Sequence, residues 1–96
     1  MVERISGPFQ GYYVAAYACE MGELGCQYIG YYKVFRKKPL SYWEGDCLFK
    51  GCTEDVRATA DEAIDSAFRM ASDQVADLPD LSARLPLRRL GDATLP

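Results

Sequence analysis

The clearest pattern along the chain is a run of apolar residues spaced three and four positions apart between residues 58 and 78. Polar and charged residues fill the positions between them, as is typical of a helix that packs one face against a core. Thr59 stands before this run and Glu62 three residues later, which is the arrangement of a capping box. Pro79 disfavours continuation of a helix. The pattern predicts a helix from about Ala60 to Leu78, with its apolar stripe formed by Ala60, Ala63, Ile64, Ala67, Phe68, Ala71, Val75 and Leu78.

Three segments before the helix, residues 9–19, 26–36 and 42–52, are rich in the aromatic and β-branched residues that favour strands. Glycines and charges separate the first two segments, and a proline interrupts the chain before the third. Strands followed by a separate helix are typical of the α+β class. We therefore predict a three-stranded antiparallel β-meander with one C-terminal amphipathic α-helix packed on one face, in the order β-β-β-α.

The same pattern divides the chain into three parts. Residues 1–8 form an N-terminal lead-in, residues 9–78 form the single β-β-β-α domain, and residues 79–96 form a C-terminal tail that contains proline, leucine and arginine. The tail has neither a helical nor an alternating period, so we expect it to be extended or disordered, or to lie across the domain. A chain of 96 residues leaves no room for a second domain.

The register of the first hairpin decides which side chains face the helix, because a slip of one residue moves a whole strand's side chains to the other face. A hairpin that pairs Cys19 with Cys26 would align the tyrosines of the two strands on one face. The helix would then cover the opposite face. The first face would carry Tyr13, Tyr17, Tyr28 and Tyr32, and the covered face would carry Val14, Ala16, Ala18, Ile29, Tyr31, Phe35, Trp43, Cys47 and Phe49.

The four cysteines, Cys19, Cys26, Cys47 and Cys52, allow three interpretations. Their spacing is unlike that of structural zinc sites, whose ligands stand roughly two to four residues apart. A Cys19–Cys26 disulfide is the second interpretation, because the predicted hairpin would bring these residues together. We favour the third, that the cysteines act as small buried apolar residues in a reducing compartment. We predict no metal and no cofactor.

Charge and the absence of histidine narrow the classes of function. A net charge of −3 opposes a broad attraction to nucleic acid or anionic lipid. Without histidine the chain lacks the commonest general base and every Ser-His or Cys-His nucleophile pair. The phosphate-binding, zinc-protease and EF-hand motifs do not occur. We therefore expect a protein that is not an enzyme.

The distribution of apolar residues also bears on location. The first ten residues include Glu3 and Arg4 and lack the apolar run of a secretory signal. No segment approaches the roughly 20 apolar residues that span a bilayer. We expect a cytoplasmic protein with no membrane partner.

Two function hypotheses follow from the predicted sheet. The leading hypothesis is a small non-catalytic protein-binding or self-assembly module, a homodimer being one form, because exposed tyrosines concentrate at interfaces. Its partner-binding residues would be Tyr13, Tyr17, Tyr28 and Tyr32. The alternative is a weak single-stranded nucleic-acid binder, because cations beside stacking aromatic residues are typical of such proteins. Its binding residues would be Lys33, Arg36, Lys37 and Lys38.

Two family resemblances are confined to part of this pattern. The strand-strand-strand-helix order resembles the double-stranded-RNA-binding fold, but Thr59-Ala60-Asp61-Glu62 replaces that family's basic helix start and would repel phosphate. The closing helix, with Thr59, Glu62 and Ala63, is similar over roughly twenty residues to that of HicB-type antitoxins. The glycine and proline signature that precedes the helix in that family is missing here. Neither resemblance implies a function for this chain.

Overall fold

The computed structural model describes residues 2–22 and 25–81 as one antiparallel four-stranded sheet with a single helix. The strands lie in chain order and the α+β class is confirmed, but the prediction of three strands is wrong. The additional strand occupies most of the predicted lead-in. The end of the predicted tail, residues 82–96, lies outside the described residues. The elements are β1 (Val2–Phe9), β2 (Tyr12–Glu20), β3 (Tyr28–Phe35), β4 (Phe49–Cys52) and α1 (Ala60–Val75).

Strand β1 joins β2 through a tight turn at Gln10 and Gly11. Both residues have a positive φ, 54° and 88°. A two-residue hairpin turn needs this conformation when its twist matches that of the two strands it joins. The pairing is irregular between Ser6 and Phe9, where Gly7 and a cis Pro8 lie. β1 is at the edge of the sheet, which is where a strand tolerates a proline. These two residues interrupt any alternating pattern, which is why the sequence alone does not show the strand.

Helix α1 begins where its cap predicts. The Thr59 hydroxyl accepts a hydrogen bond from the backbone N–H of Glu62 at 3.1 Å, as an N-cap residue does. The helix ends at Val75, three residues before the predicted end. The N–H of Leu78 donates to the carbonyl of Val75 at 2.9 Å, so the chain tightens into a turn of shorter period before Pro79. Leu78 still packs against the core, as the apolar stripe predicts.

The main core lies between α1 and the sheet face that α1 covers, which we call the helix face. Small residues dominate it, so the helix approaches β2 and β3 closely. A Cβ atom added to Gly30 would overlap the backbone carbonyl oxygen of Ala63. The buried residues of this core are Tyr12, Val14, Ala16, Ala18, Tyr32, Val34, Ala63, Ile64, Ala67, Ala71 and Val75.

The predicted register of β2 against β3 is wrong by three residues. Tyr17 lies opposite Tyr31, where the prediction has Tyr28, and Gly30 lies opposite Ala18. Because three is an odd number, β2 keeps its predicted faces while every side chain of β3 moves to the opposite face. The connection between the strands is longer than the predicted hairpin, and it closes with a hydrogen bond from the N–H of Met21 to the carbonyl of Gln27 at 2.6 Å.

The predicted third strand at 42–52 shortens to the four residues of β4, which pairs Cys52 with Tyr31. The residues before it, 36–48, form a loop that lies over the sheet face opposite α1, which we call the loop face. Tyr42 from this loop is buried against Ala15 and Phe35 in a second, smaller core. The sheet is therefore covered on both faces, by the helix on one and in part by a loop on the other.

Candidate functional site

The loop face carries four aromatic rings in mutual contact, Tyr17, Tyr31, Tyr42 and Trp43, which we call the aromatic platform. The Trp43 ring centroid lies 5.1 Å from those of both Tyr17 and Tyr42, and it meets Tyr42 edge-on at 88°. Tyr17 also contacts Tyr31 at 5.9 Å and Tyr42 at 5.3 Å. Such tilted and edge-on pairs are the favoured aromatic geometries. Trp43 is 57% exposed, so its contacts hold the indole without hiding it.

Polar contacts fix the loop on the sheet beneath the aromatic platform. A carboxylate oxygen of Glu3, on β1, accepts from the N–H of Tyr42 at 2.7 Å. The Nζ of Lys33, on β3, donates to the carbonyl of Glu44 at 3.1 Å and lies 4.6 Å from the centre of the Tyr42 ring. The Glu44 carboxylate in turn accepts from the N–H of Leu40. The loop is thus attached to two strands, and Tyr42 and Trp43 have a defined position.

Two tyrosines of the aromatic platform, Tyr17 and Tyr42, have a raised pKa. A hydrogen bond with Cys19 and partial burial raise the pKa of Tyr17 above its ordinary value. Burial raises the pKa of Tyr42. The raised pKa values keep both phenols neutral to a higher pH than an ordinary tyrosine. The arrangement presents aromatic surface and hydroxyl groups, which suits binding.

The four tyrosines predicted to bind a partner do not share one face. Tyr13 and Tyr17 lie on the loop face as predicted, both partly buried. Tyr28 and Tyr32 lie on the helix face, because the register of β3 differs from the predicted one. Tyr32 is 2% exposed, so no partner can contact it in the folded protein. The structure thus brings together only half of the predicted set.

Two of the residues that complete the aromatic platform, Tyr31 and Trp43, were predicted to lie under the helix. The prediction that Trp43 belongs to the core is wrong, since it stands in the loop between Pro39 and Gly45 and not in a strand. Those two flanking residues are the sequence signal that favours a loop here. Tyr31 lies on the loop face, and Tyr32 on the helix face, because the register of β3 differs from the predicted one.

The four residues of the predicted nucleic-acid site are spread over two environments. Lys33 lies within the loop face, where it contacts Tyr42 and Glu44. Arg36, Lys37 and Lys38 are exposed at the start of the loop. They line a cavity of about 400 Å³ whose other charged residues are the carboxylates Glu44 and Asp46. The surface there is therefore of mixed charge.

The interpretation of the cysteines as buried apolar residues is wrong. Cys26 and Cys52 are exposed, Cys19 and Cys47 are partly buried, and all four are free thiols. Cys19 pairs with Ile29 on β3, because the register differs from the predicted one, and Cys26 precedes that strand. Cys47 packs against the smaller core, and Cys52 lies beside Tyr31 on the loop face.

A second cavity, of about 360 Å³, lies between α1 and the segment that follows β4. The Arg57 Nε is buried there without a hydrogen-bond partner, and its guanidinium lies 3.8 Å from the Asp55 carboxylate. Arg69 adds a second cation, but Glu54, Asp55 and Asp73 also line the cavity. With three carboxylates against two guanidinium groups, its lining does not select an anion or a cation.

Neither metal-binding groups nor a spanning helix occur in the part of the chain that the structure describes. No three His, Cys, Asp or Glu side chains group together there as a metal site needs. The one helix within those residues is not long and apolar enough to cross a membrane. Comparison with family models, with curated proteins and with solved structures gives no match for this chain. The geometry of the aromatic platform is therefore the feature of this chain that bears on function.

Proposed function

We propose that this protein is a small non-catalytic binding module that docks another protein through the aromatic platform. The observation that carries the proposal is the exposure of Trp43, the only tryptophan of the chain, while its ring is held by Tyr17 and Tyr42. A domain this small has few large apolar side chains to bury. It nonetheless leaves its largest one 57% exposed on a fixed loop.

A rigid, half-exposed tryptophan has the properties of an interface anchor. Tryptophan and tyrosine are enriched among the residues that carry most of the binding energy, and they lose little conformational entropy when a partner covers them. Here the aromatic contacts and the hydrogen bond that the Tyr42 N–H donates to the Glu3 carboxylate already fix the loop in the free protein. A partner would therefore bind a preorganised surface.

Charge favours a different protein over a second copy as the partner. In a two-fold dimer the same patch meets itself, so each side chain near the axis would face its own copy. Lys33 and Lys50 both lie on the loop face, and a symmetric dimer across this face would bring four ammonium groups together. Like charges placed opposite one another are unfavourable. A heterologous partner avoids this repulsion.

The nucleic-acid alternative has less support from the structure. The carboxylates Glu44 and Asp46 lie in the same cavity as Arg36, Lys37 and Lys38. A protein that binds the phosphate backbone of a nucleic acid needs a local excess of positive charge. Titration with a labelled oligonucleotide tests it, and salt-dependent binding by the wild type would revive this alternative.

Photo-crosslinking at position 43 tests the proposed docking. The photoreactive residue p-benzoylphenylalanine would replace Trp43 in one variant and Leu40 in a control. Leu40 belongs to the same loop and is 92% exposed, so it reports general accessibility. We expect a discrete crosslinked product in source cells from position 43 and not from position 40, followed by binding of the identified protein to the purified chain. Equal crosslinking from both positions, or none from position 43, would refute the proposal.

A further inference from the structure

Two lysines face each other on neighbouring strands of the loop face. Lys33 on β3 pairs with Lys50 on β4. The N–H of Thr53 donates to the carbonyl of Gly30 at 2.8 Å, so these two residues form a hydrogen-bonded pair. Hydrogen-bonded and non-hydrogen-bonded pairs alternate along an antiparallel ladder. Lys33 and Lys50 lie three residues along each strand from that pair, so they form a non-hydrogen-bonded pair. Side chains stand closest in pairs of this kind.

This arrangement is unfavourable for the free protein. Like charges directly opposite one another destabilise a pair of strands. Among the described residues neither lysine has a carboxylate within 4.0 Å, although Arg4 and Arg57 both do. Lys33 donates to a backbone carbonyl and lies over the Tyr42 ring, so its partners are dipoles and an aromatic ring and none of them neutralises its charge. The free protein therefore contains a local concentration of positive charge that an external anion would relieve.

A groove beside this pair has the lining that such an anion needs. Tyr31, Tyr42, Lys50, Gly51 and Cys52 line it, and none of them is acidic. Tyr31 and Tyr42 belong to the aromatic platform, so the groove continues the surface on which Trp43 stands. An aromatic surface next to an ammonium group suits a ligand that combines apolar groups with a carboxylate.

The neighbouring strand edge suits an extended chain. β4 has β3 on one side and no strand on the other within the described sheet. Since Lys50 makes no ladder bond to β3, its backbone N–H and carbonyl point toward that open edge. A strand that pairs there would place alternate side chains on the loop face, beside Lys50.

We propose that the partner presents an acidic segment in extended conformation along β4, and that one of its Asp or Glu carboxylates binds between Lys33 and Lys50. This inference rests on the proposed docking function and specifies its chemistry. A single carboxylate fits a groove bounded by tyrosine rings. A nucleic-acid backbone that extended from this groove to Arg36, Lys37 and Lys38 would meet Glu44 and Asp46, which line the same cavity as those cations and would repel phosphate.

Peptide binding to the purified full chain tests the inference. The probe is a fluorescein-labelled peptide of alternating glutamate and valine, roughly nine residues long, which is the length of a long strand. Its matched control replaces every glutamate with glutamine, and an oligothymidylate of equal charge tests the phosphate alternative. We expect saturable anisotropy changes with the glutamate peptide only, and weaker binding as salt is added.

Variants then locate the binding. Lys50→Gln should weaken the glutamate peptide about fivefold, close to 1 kcal/mol for a partly exposed ion pair. Lys37→Gln removes the same charge outside the groove and should leave the affinity unchanged. The inference is overturned if the glutamate peptide does not bind at millimolar concentration, if both lysine variants behave alike, or if oligothymidylate binds more tightly. Crosslinking from position 43 that persists alongside any of these results would retain the docking function and reject only its carboxylate chemistry.

Discussion

Gly30 is the position at which one added methyl group should have the largest effect on the fold. Its missing side chain would point at α1, where an alanine Cβ would overlap the Ala63 carbonyl oxygen and lie 3.0 Å from the Ala67 Cβ. The overlapping atom belongs to the helix backbone and cannot rotate away. In Gly30→Ala the helix must therefore move off the sheet.

The size of the effect follows from that movement. Ordinary contact begins at 3.4 Å and requires a shift of roughly 1.2 Å at Ala63. A gap of about 1 Å already forfeits roughly half of the dispersion attraction across the interface. Overpacking typically costs about 1–3 kcal/mol, and we expect the upper end because backbone must move. For the roughly 80 residues that the structure describes, the whole free energy of unfolding is about 4–12 kcal/mol. One methyl group thus removes a large part of it.

Urea unfolding followed by far-ultraviolet circular dichroism measures this loss through the helix signal. With a slope of about 1 kcal/mol per molar, a loss near 3 kcal/mol lowers the midpoint by roughly 2–3 M. Gly45→Ala is the matched control, because its added Cβ would have nothing within 4 Å and the free energy should change by less than about 1 kcal/mol. Gly51→Ala should fall between them, since its added Cβ would overlap side-chain atoms of the buried Tyr32, the hydroxyl at 2.5 Å and a ring carbon at 2.7 Å, and not the backbone of a helix.

The order of these three variants is the decisive result. If Gly30→Ala unfolds at the same urea concentration as Gly45→Ala, then α1 does not pack against β3 at Gly30. The observed register, with Gly30 and Tyr32 on the helix face, would be wrong as well.

Three further predictions concern the cap, the lysine pair and a buried phenol. Thr59→Ala should lower the free energy of unfolding by about 1 kcal/mol in thermal melts, while Thr59→Ser should retain it. Lys50→Glu should stabilise the free protein by up to about 1 kcal/mol at low salt, because it places opposite charges across from each other. Burial raises the pKa of Tyr32, so stability present below the ordinary tyrosine pKa of about 10 should be lost as pH rises further, and Tyr32→Phe should reduce that loss.

Each of these has a result that contradicts it. Equal melting of the alanine and serine variants at position 59 would mean that the cap hydrogen bond contributes nothing. A gain in Lys50→Glu that persists in molar salt would have a non-electrostatic cause. Urea midpoints that fall identically above pH 10 in wild type and Tyr32→Phe would assign the alkaline loss to other groups, such as Tyr17 or Tyr42, whose pKa values are also raised.

The helix layer was predictable because its signals are local. Each of its signals lies within a few turns of one helix, namely the cap at Thr59 and the spacing of Ala63, Ile64, Ala67 and Ala71. The end of the helix was less predictable, because the tightened turn before Pro79 keeps Leu78 in the core without continuing the helix.

The sheet register was not predictable to the same degree, because it depends on where two distant segments meet. Tyrosines occur at both odd and even positions of β3, so either face of that strand looks equally aromatic. Gly30 carries the signal that decides between them. An alanine-rich helix needs a residue without a side chain beneath its closest approach, and Gly30 meets that need only when the even positions face α1.

The sequence indicated that one sheet face carries aromatic residues, but not which residues form the aromatic platform. An exposed tyrosine face was expected, and Tyr17 belongs to it. Trp43 and Tyr42 reach it from a loop, and no periodicity marks a loop that folds back over a sheet. The contact that positions them comes from Glu3, in a segment without a strand pattern.

Successive residues of β1 connect the two faces of the molecule. Glu3 bonds to the Tyr42 N–H on the loop face, and Arg4 reaches Asp61 and Asp65 of α1 at 3.4 and 3.1 Å on the helix face. Detachment of this edge strand would release the loop and the start of the helix together. Occupation of the aromatic platform should therefore slow amide hydrogen exchange in β1, even though the partner contacts none of its amides.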